Sequence, residues 1–153
     1  MEAVKTNVPH ALSQIYKNMK MGESSILDVM KKVEDPALRA DLLAHLEGYQ
    51  GFSAEAKELL KDEKTEAKEE NAFTKLMAKM GVTINTMMDS TSSHLAEMVI
   101  EGSTMGVTDT TRILHELETV TDASDPDYEK AVSLAKRIIS FEEKNIEKMK
   151  PYL

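Results

Sequence analysis

Long segments with helical periodicity, most of them opened by a proline, are the feature that most limits the fold of this chain. Pro9, Pro36 and Pro126 each stand at the start of such a segment. Proline is favoured in the first turn of a helix, where its missing N–H leaves no bond unmade. The chain holds only six glycines and four prolines, too few for the many turns of a sandwich or a barrel. The sequence therefore predicts an all-α fold.

Apolar side chains that recur every three or four residues predict four long helices, A to D. Predicted helices A to D cover about residues 9–33, 36–61, 90–120 and 126–150. A crossover of about residues 62–89 joins B to C, and its apolar positions predict one or two short helices within it. With 153 residues, the chain is expected to form one domain, residues 1–153.

Composition excludes several classes of function. A net charge of −8 with a pI near 5.1 argues against binding to nucleic acid. The absence of cysteine excludes disulfides, thiolate catalysis and cysteine-ligated metals. No apolar run is long enough to predict a membrane span. The first residues carry no apolar core of a signal peptide, so the cytoplasm is the expected compartment.

Each predicted helix carries a carboxylate on its apolar stripe, and two helices carry an amide three residues later. These candidate site residues are Glu23, Glu47, Gln50, Glu101, Glu142 and Asn145. The other members of these stripes include Leu43 on B, Met98 and Thr108 on C, and Ala135 and Ile138 on D. If B and C run parallel, the distances from the helix ends place the four carboxylates within about one turn along the bundle axis. A single carboxylate on a stripe is more often a side chain that reaches water. Four at one level predict a shared polar layer.

The order of these residues resembles that of the ferritin-like four-helix bundles. In that superfamily a Glu on the first and third helices, with Glu-x-x-His on the second and fourth, holds two metal ions. The matching positions are Glu23, Glu47-Gly-Tyr-Gln50, Glu101 and Glu142-Glu-Lys-Asn145. Three short stretches are most similar to an uncharacterised bacterial group: Met21-Gly22-Glu23, Val33-Glu34-Asp35-Pro36 and Ile100-Glu101-Gly102. The resemblance implies a ferritin-like four-helix bundle with a long, partly helical B–C crossover.

The resemblance also implies a di-iron or di-manganese carboxylate site in active members, but both histidines are replaced here by amides. Four carboxylates and two amides form an all-oxygen set, which suits Mg, Ca or Mn better than an oxygen-activating iron pair. Without metal, Gln50 and Asn145 could donate hydrogen bonds to a partly protonated carboxylate layer. His45 lies two residues from Glu47 and is predicted to point away from it. The expected cofactor is therefore none, or a weakly bound divalent metal (Mn, Fe, Mg or Ca).

Two functions from different classes follow from these residues. The first is a non-catalytic structural or interaction protein that forms a homo-oligomer, its protein partner unknown. Its expected contact surface is the apolar face of the crossover: Phe73, Leu76, Met77 and Met80. The second is a metal-binding protein, for iron or manganese, with di-metal oxidoreductase or storage activity. No Ser-His-Asp, Walker or glycine-rich dinucleotide pattern is present, so the sequence favours a protein that is not an enzyme.

Overall fold

A computed structural model describes residues 7–61, 79, 87–120 and 123–153 of the chain. These residues are helical apart from short connections and contain no strand, which confirms the predicted all-α class. The helices are α1 (Val8–Met30), α2 (Pro36–Leu60), α3 (Ser92–Val120) and α4 (Tyr128–Met149), followed by a short 3₁₀ helix, Lys150–Tyr152.

The first two helices begin where side-chain caps and prolines predict. The Asn7 side chain accepts a hydrogen bond from the His10 N–H at 2.8 Å. The Asp35 carboxylate accepts one from the Ala37 N–H, also at 2.8 Å, and Pro36 occupies the first turn. Such caps satisfy backbone donors that have no partner inside the helix. The two prolines therefore start helices, as their position in the sequence indicates.

Two helix ends differ from the predicted boundaries by a few residues. α1 ends at Met30 rather than near residue 33, because the Lys31 and Lys32 N–H groups bond to carbonyls three residues back in a tight turn. α4 begins at Tyr128, two residues after Pro126. There the Asp125 side chain accepts a hydrogen bond from the Asp127 N–H and forms a turn before the helix.

Contacts along the bundle show that α2 and α4 run antiparallel. Near the start of α2, the Asp41 carboxylate accepts a hydrogen bond from the Tyr152 hydroxyl at 2.6 Å, just beyond the end of α4. Near the end of α2, Glu55 pairs with Arg137, which lies in the middle of α4. Residue numbers therefore rise along one helix as they fall along the other.

α1 and α3 are also antiparallel, which sets the direction of α3 relative to α2. The Asn18 side chain of α1 donates to Asp109 of α3, whereas Val29 and Met98 line one cavity further along the pair. α1 and α2 are antiparallel across the short connection between them, where the Arg39 guanidinium donates to the Val33 carbonyl. α2 and α3 therefore run in the same direction, as the level positions in the sequence predict.

The core consists of aliphatic side chains from all four helices. Each side chain of this kind contributes about 1.5–3 kcal/mol when it is fully buried. The largest fully buried side chains are Leu12, Ile15, Met19, Leu38, Leu42, Leu95, Leu117, Leu134, Ile138 and Met149. Within the described residues, no helix is long and apolar enough to cross a membrane.

Most of the predicted crossover lies outside the described residues, which include only residues 79 and 87–89 of it. The predicted short helices at 62–89 and the apolar face formed by Phe73, Leu76, Met77 and Met80 therefore stay predictions.

Candidate functional site

The structure does not bring the six predicted site residues together. Glu142 and Asn145 are buried, at 0% and 4% exposure. Glu47, Gln50 and Glu101 are exposed on the outside of the bundle. The predicted convergence of all six in the bundle centre is therefore wrong, and only the two residues of α4 reach the interior.

Glu23 also fails to join Glu142. It is half-buried, and its Oε2 lies 3.2 Å from the Lys20 Nζ in an ion pair on the surface of α1. In the part of the chain that the structure describes, no three His, Asp or Glu side chains are grouped as metal ligands would be. The described residues therefore do not form the four-carboxylate layer that the resemblance implies.

A rotation of one residue position explains the error on α2. The predicted stripe ran through Leu43, Glu47 and Gln50, but the buried positions are His45, Tyr49 and other residues of the neighbouring series. One residue corresponds to about 100° of rotation in an α-helix. His45 does point away from Glu47, as predicted, but His45 is the residue that faces the interior and Glu47 is the one that is exposed.

α3 shows the same rotation, whereas α4 does not. On α3 Gly102, Ser103 and Gly106 are buried at the level of Glu142, whereas Glu101 and Thr108 of the predicted stripe are exposed. On α4 the predicted stripe residues Ala135, Ile138 and Glu142 are all fully buried. The predicted positions along the bundle axis were nevertheless close, because Tyr49 and Ser103, which contact Glu142, each lie only two residues from the predicted Glu47 and Glu101.

Glu142 is held by hydroxyl donors from two other helices. The Tyr49 hydroxyl, on α2, lies 2.7 Å from Oε1 and 2.9 Å from Oε2 of Glu142. The Ser103 hydroxyl, on α3, donates to Oε1 at 3.3 Å. Burial raises the pKa of the Tyr49 hydroxyl well above its usual value, and the neighbouring Glu142 raises it further. Tyr49 therefore stays protonated and acts as a donor.

His45 completes the layer without a hydrogen bond. Its ring stacks on that of Tyr49 with centroids 4.7 Å apart, and the edge of Phe141 packs against it at 5.3 Å. Its Nε2 lies 3.5 Å from Oε1 of Glu142. Neither ring nitrogen has a hydrogen-bond partner among the described residues, although the side chain is only 1% exposed. The Nδ2 of Asn145 is likewise buried without a partner in the part of the chain that the structure describes.

Glycines on two helices allow the layer to pack this closely. A Cβ built on Gly106 of α3 would lie 2.0 Å from Oε2 of Glu142. A Cβ on Gly22 of α1 would lie 2.7 Å from the Tyr49 ring. Both distances are far shorter than real carbon contacts, so these positions accept no side chain unless the layer moves.

A small cavity of about 20 Å³ lies beside the layer, between α1, α2 and α3. A cavity of this size has room for about one water molecule. Its polar and glycine lining is formed by Gly22, Ser25, His45, Tyr49, Gly102 and Ser103.

A second buried polar pair lies between α1 and α3. The Asn18 amide, 2% exposed, donates to the carboxylate of Asp109, which is 8% exposed. Burial raises the pKa of Asp109, although the Asn18 hydrogen bond and the Arg112 charge oppose that shift. The sequence analysis did not select this pair, because Asp109 lies one position away from the predicted stripe of α3.

The residues that the sequence analysis missed did leave a signal. Leu38, Leu42, His45, Tyr49 and Ser53 follow one another at spacings of three or four, as an inward face requires. Because this series includes the polar residues His45 and Ser53, it is little more apolar than the adjacent series that begins at Leu43, and periodicity alone does not choose between them as the inward face.

The fold and site define a class: an all-α bundle of four long helices whose centre holds a buried Tyr–Glu–His layer. Comparison of this chain with protein-family models, curated proteins and solved structures finds no match.

Proposed function

We propose that this chain is a ferritin-like bundle in which a hydrogen-bonded polar layer takes the place of a di-metal centre, and that it acts as a non-catalytic structural or interaction protein. The observation that carries the proposal is the environment of Glu142. Its nearest groups are hydroxyls, an imidazole and the backbone of Gly106. Within the described ranges, the second and third carboxylates that a di-metal centre requires are not among these groups.

The direction of the helices supports the ferritin-like part of the proposal. α2 and α3 run parallel, so the end of α2 and the start of α3 lie at opposite ends of the bundle, as in the ferritin-like plan. Glu142 and Asn145 then occupy the level at which that plan places the ligands of the fourth helix. The bundle keeps the scaffold of a metal protein while the facing positions on the other helices are filled for packing.

Metal content and oxygen chemistry test this function together. The chain is produced in medium supplemented with iron and manganese and purified without a nickel column. We expect fewer than two iron or manganese ions per chain and no consumption of oxygen when ferrous iron is added. The proposal fails if two ions per chain are present and are lost in Glu23→Gln and Glu101→Gln variants, since those residues would then be ligands.

The interaction role rests on the expected homo-oligomer. Its expected contact surface is the apolar face predicted on the crossover, Phe73, Leu76, Met77 and Met80, and an apolar patch of this kind is what association covers. Light scattering should therefore give a mass at least twice the 17.1 kDa of one chain. A species of 17.1 kDa at tens of micromolar chain would contradict the oligomer.

A further inference from the structure

We propose that His45 and Glu142 bind a single divalent ion of the first transition series, of the zinc or cobalt type, through Nε2 and Oε1. The separation of these atoms is the first argument. At 3.5 Å they are too far apart for an N–H···O hydrogen bond of ordinary length. Two ligand atoms placed tetrahedrally at about 2.0–2.1 Å from one ion lie about 3.3 Å apart. The observed gap is close to that value.

The unpaired ring of His45 is the second argument. A neutral imidazole carries one N–H donor and one nitrogen lone pair, and both are expected to have partners when the ring is buried. His45 is 1% exposed, and neither nitrogen has a hydrogen-bond partner among the described residues. A bound metal ion would accept the lone pair of Nε2. A proton on Glu142 would not, because Oε1 lies 3.5 Å from Nε2, which is too far for a hydrogen bond of ordinary length.

The surroundings of the pair are suited to an added positive charge. The side chains that contact Glu142 are Tyr49, Ser103 and His45. None of these three carries a fixed positive charge. A divalent cation would therefore offset the charge of a carboxylate that is 0% exposed.

Neighbouring groups supply the outer features of a metal site. The Tyr49 hydroxyl contacts both oxygens of Glu142 and holds the carboxylate in one orientation, as groups outside the ligand shell commonly do. The cavity of about 20 Å³ is lined by His45, Tyr49 and Ser103 together with apolar side chains, and it has room for one water molecule on the His45 side of the pair. The ion would thus have two protein ligands, with this cavity as the nearest space for a water ligand.

The ligand types set which ion is preferred. An imidazole nitrogen with a carboxylate oxygen suits zinc, cobalt or nickel, whereas magnesium and calcium favour oxygen ligands alone. This differs from the all-oxygen set expected from the sequence. It also requires one ion per chain without redox chemistry, which is compatible with the non-catalytic function proposed above.

Titration of the chelator-treated full chain with cobalt chloride or zinc chloride tests the site. We expect one ion per chain by calorimetry, visible absorption from bound cobalt, and a melting temperature that rises with zinc. Glu142→Gln keeps an acceptor for Tyr49 but removes the anionic ligand, and His45→Ala removes the nitrogen. Each change should weaken binding at least a hundredfold.

Two other histidines provide matched controls. His115 is exposed and His94 is half-exposed on α3, so His94→Ala and His115→Ala should bind cobalt as the unaltered chain does. Circular dichroism verifies the helical fold of every variant. If His45→Ala is not folded, His45→Gln takes its place. Millimolar magnesium should not displace the cobalt.

The proposal is overturned if the unaltered chain shows no saturable binding, or if binding survives in both Glu142→Gln and the His45 variant. Binding that is lost instead in Glu23→Gln or Glu101→Gln would also overturn it. The two proposals fail separately. Absence of cobalt binding leaves the structural function standing, whereas two irons per chain with oxygen consumption would defeat that function alone.

Discussion

Replacement of Gly106 by alanine is the most direct test of how tightly the central layer is packed. Glycine within a helix costs about 0.8–1.0 kcal/mol relative to alanine, so the change alone should stabilise α3. The structure predicts the opposite sign at this position. A Cβ there would lie 2.0 Å from Oε2 of Glu142, which would have to retreat to about 3.4 Å for ordinary contact.

The magnitude follows from what that retreat breaks. A Cβ on Gly106 would also lie 2.9 Å from Cδ of Glu142, so the whole carboxylate must move. That movement breaks the hydrogen bond from Tyr49, whose single proton is shared between Oε1 and Oε2, and a hydrogen bond to a charged group contributes about 1.5–3 kcal/mol. Subtracting the gain in helix propensity leaves Gly106→Ala less stable by about 0.5–2 kcal/mol. For a chain of this length, that corresponds to a melting temperature about 1–8 °C lower.

Gly51 provides the matched control for this change. It also lies within a helix, and a Cβ built on it meets nothing within 4 Å. Gly51→Ala should therefore raise the free energy of unfolding by about 0.5–1 kcal/mol. Urea unfolding of both variants, followed by circular dichroism in the presence of a chelator, measures the difference in sign.

A second background assigns the effect to Glu142. When Glu142→Ala removes the obstructing carboxylate, Gly106→Ala should no longer destabilise and should behave like Gly51→Ala. The reasoning is refuted if Gly106→Ala stabilises the original chain as much as Gly51→Ala does. It is also refuted if the penalty is unchanged in the Glu142→Ala background.

Two further predictions concern the buried polar groups. Tyr49→Phe removes the main donor to Glu142 and should lower the free energy of unfolding by about 1.5–3 kcal/mol, and Ser103→Ala, which removes a longer hydrogen bond, should lower it less; urea unfolding measures both. Because the pKa of Asp109 is raised in the folded chain, its contribution to stability is fully present below the unfolded pKa of about 3.9 and is lost as pH rises through the folded pKa. Asp109→Asn should therefore gain stability relative to the original chain between about pH 3 and pH 7, and an equal difference at both pH values would contradict this.

The axial level of each helix was predictable from the sequence because it depends on few quantities. Proline and capping residues mark the helix starts, and the rise per residue is nearly constant. An error of two or three residues in a boundary moves a side chain by less than one turn. Ser103 and Tyr49 meet Glu142 at about the level that Glu101 and Glu47 were expected to occupy.

Rotation about the helix axis was predictable for α4 but not for α2 or α3. The charged residues of α4 other than Glu142 all lie on one exposed side of the helix, so the opposite, apolar side has one choice of inward direction. α2 offers two neighbouring choices, since Leu42 and Leu43 are adjacent and either could point inward. The structure buries Leu42 and leaves Leu43 46% exposed.

Buried glycines mark which face of a helix points inward, but an analysis of hydrophobic periodicity does not count glycine as an interior residue. Gly22 and Gly106 have no side chain to mark them as interior, yet their lack of a Cβ lets Tyr49 and Glu142 approach the backbones of α1 and α3. A ligand set requires the correct level and the correct rotation at once. The motif-like spacing of the glutamates predicted their level along the bundle axis but not their rotation about the helix axes. Where a glycine stands next to an expected ligand, as Gly22 does beside Glu23 and Gly102 beside Glu101, the close helix contact can take the interior position and turn the glutamate outward.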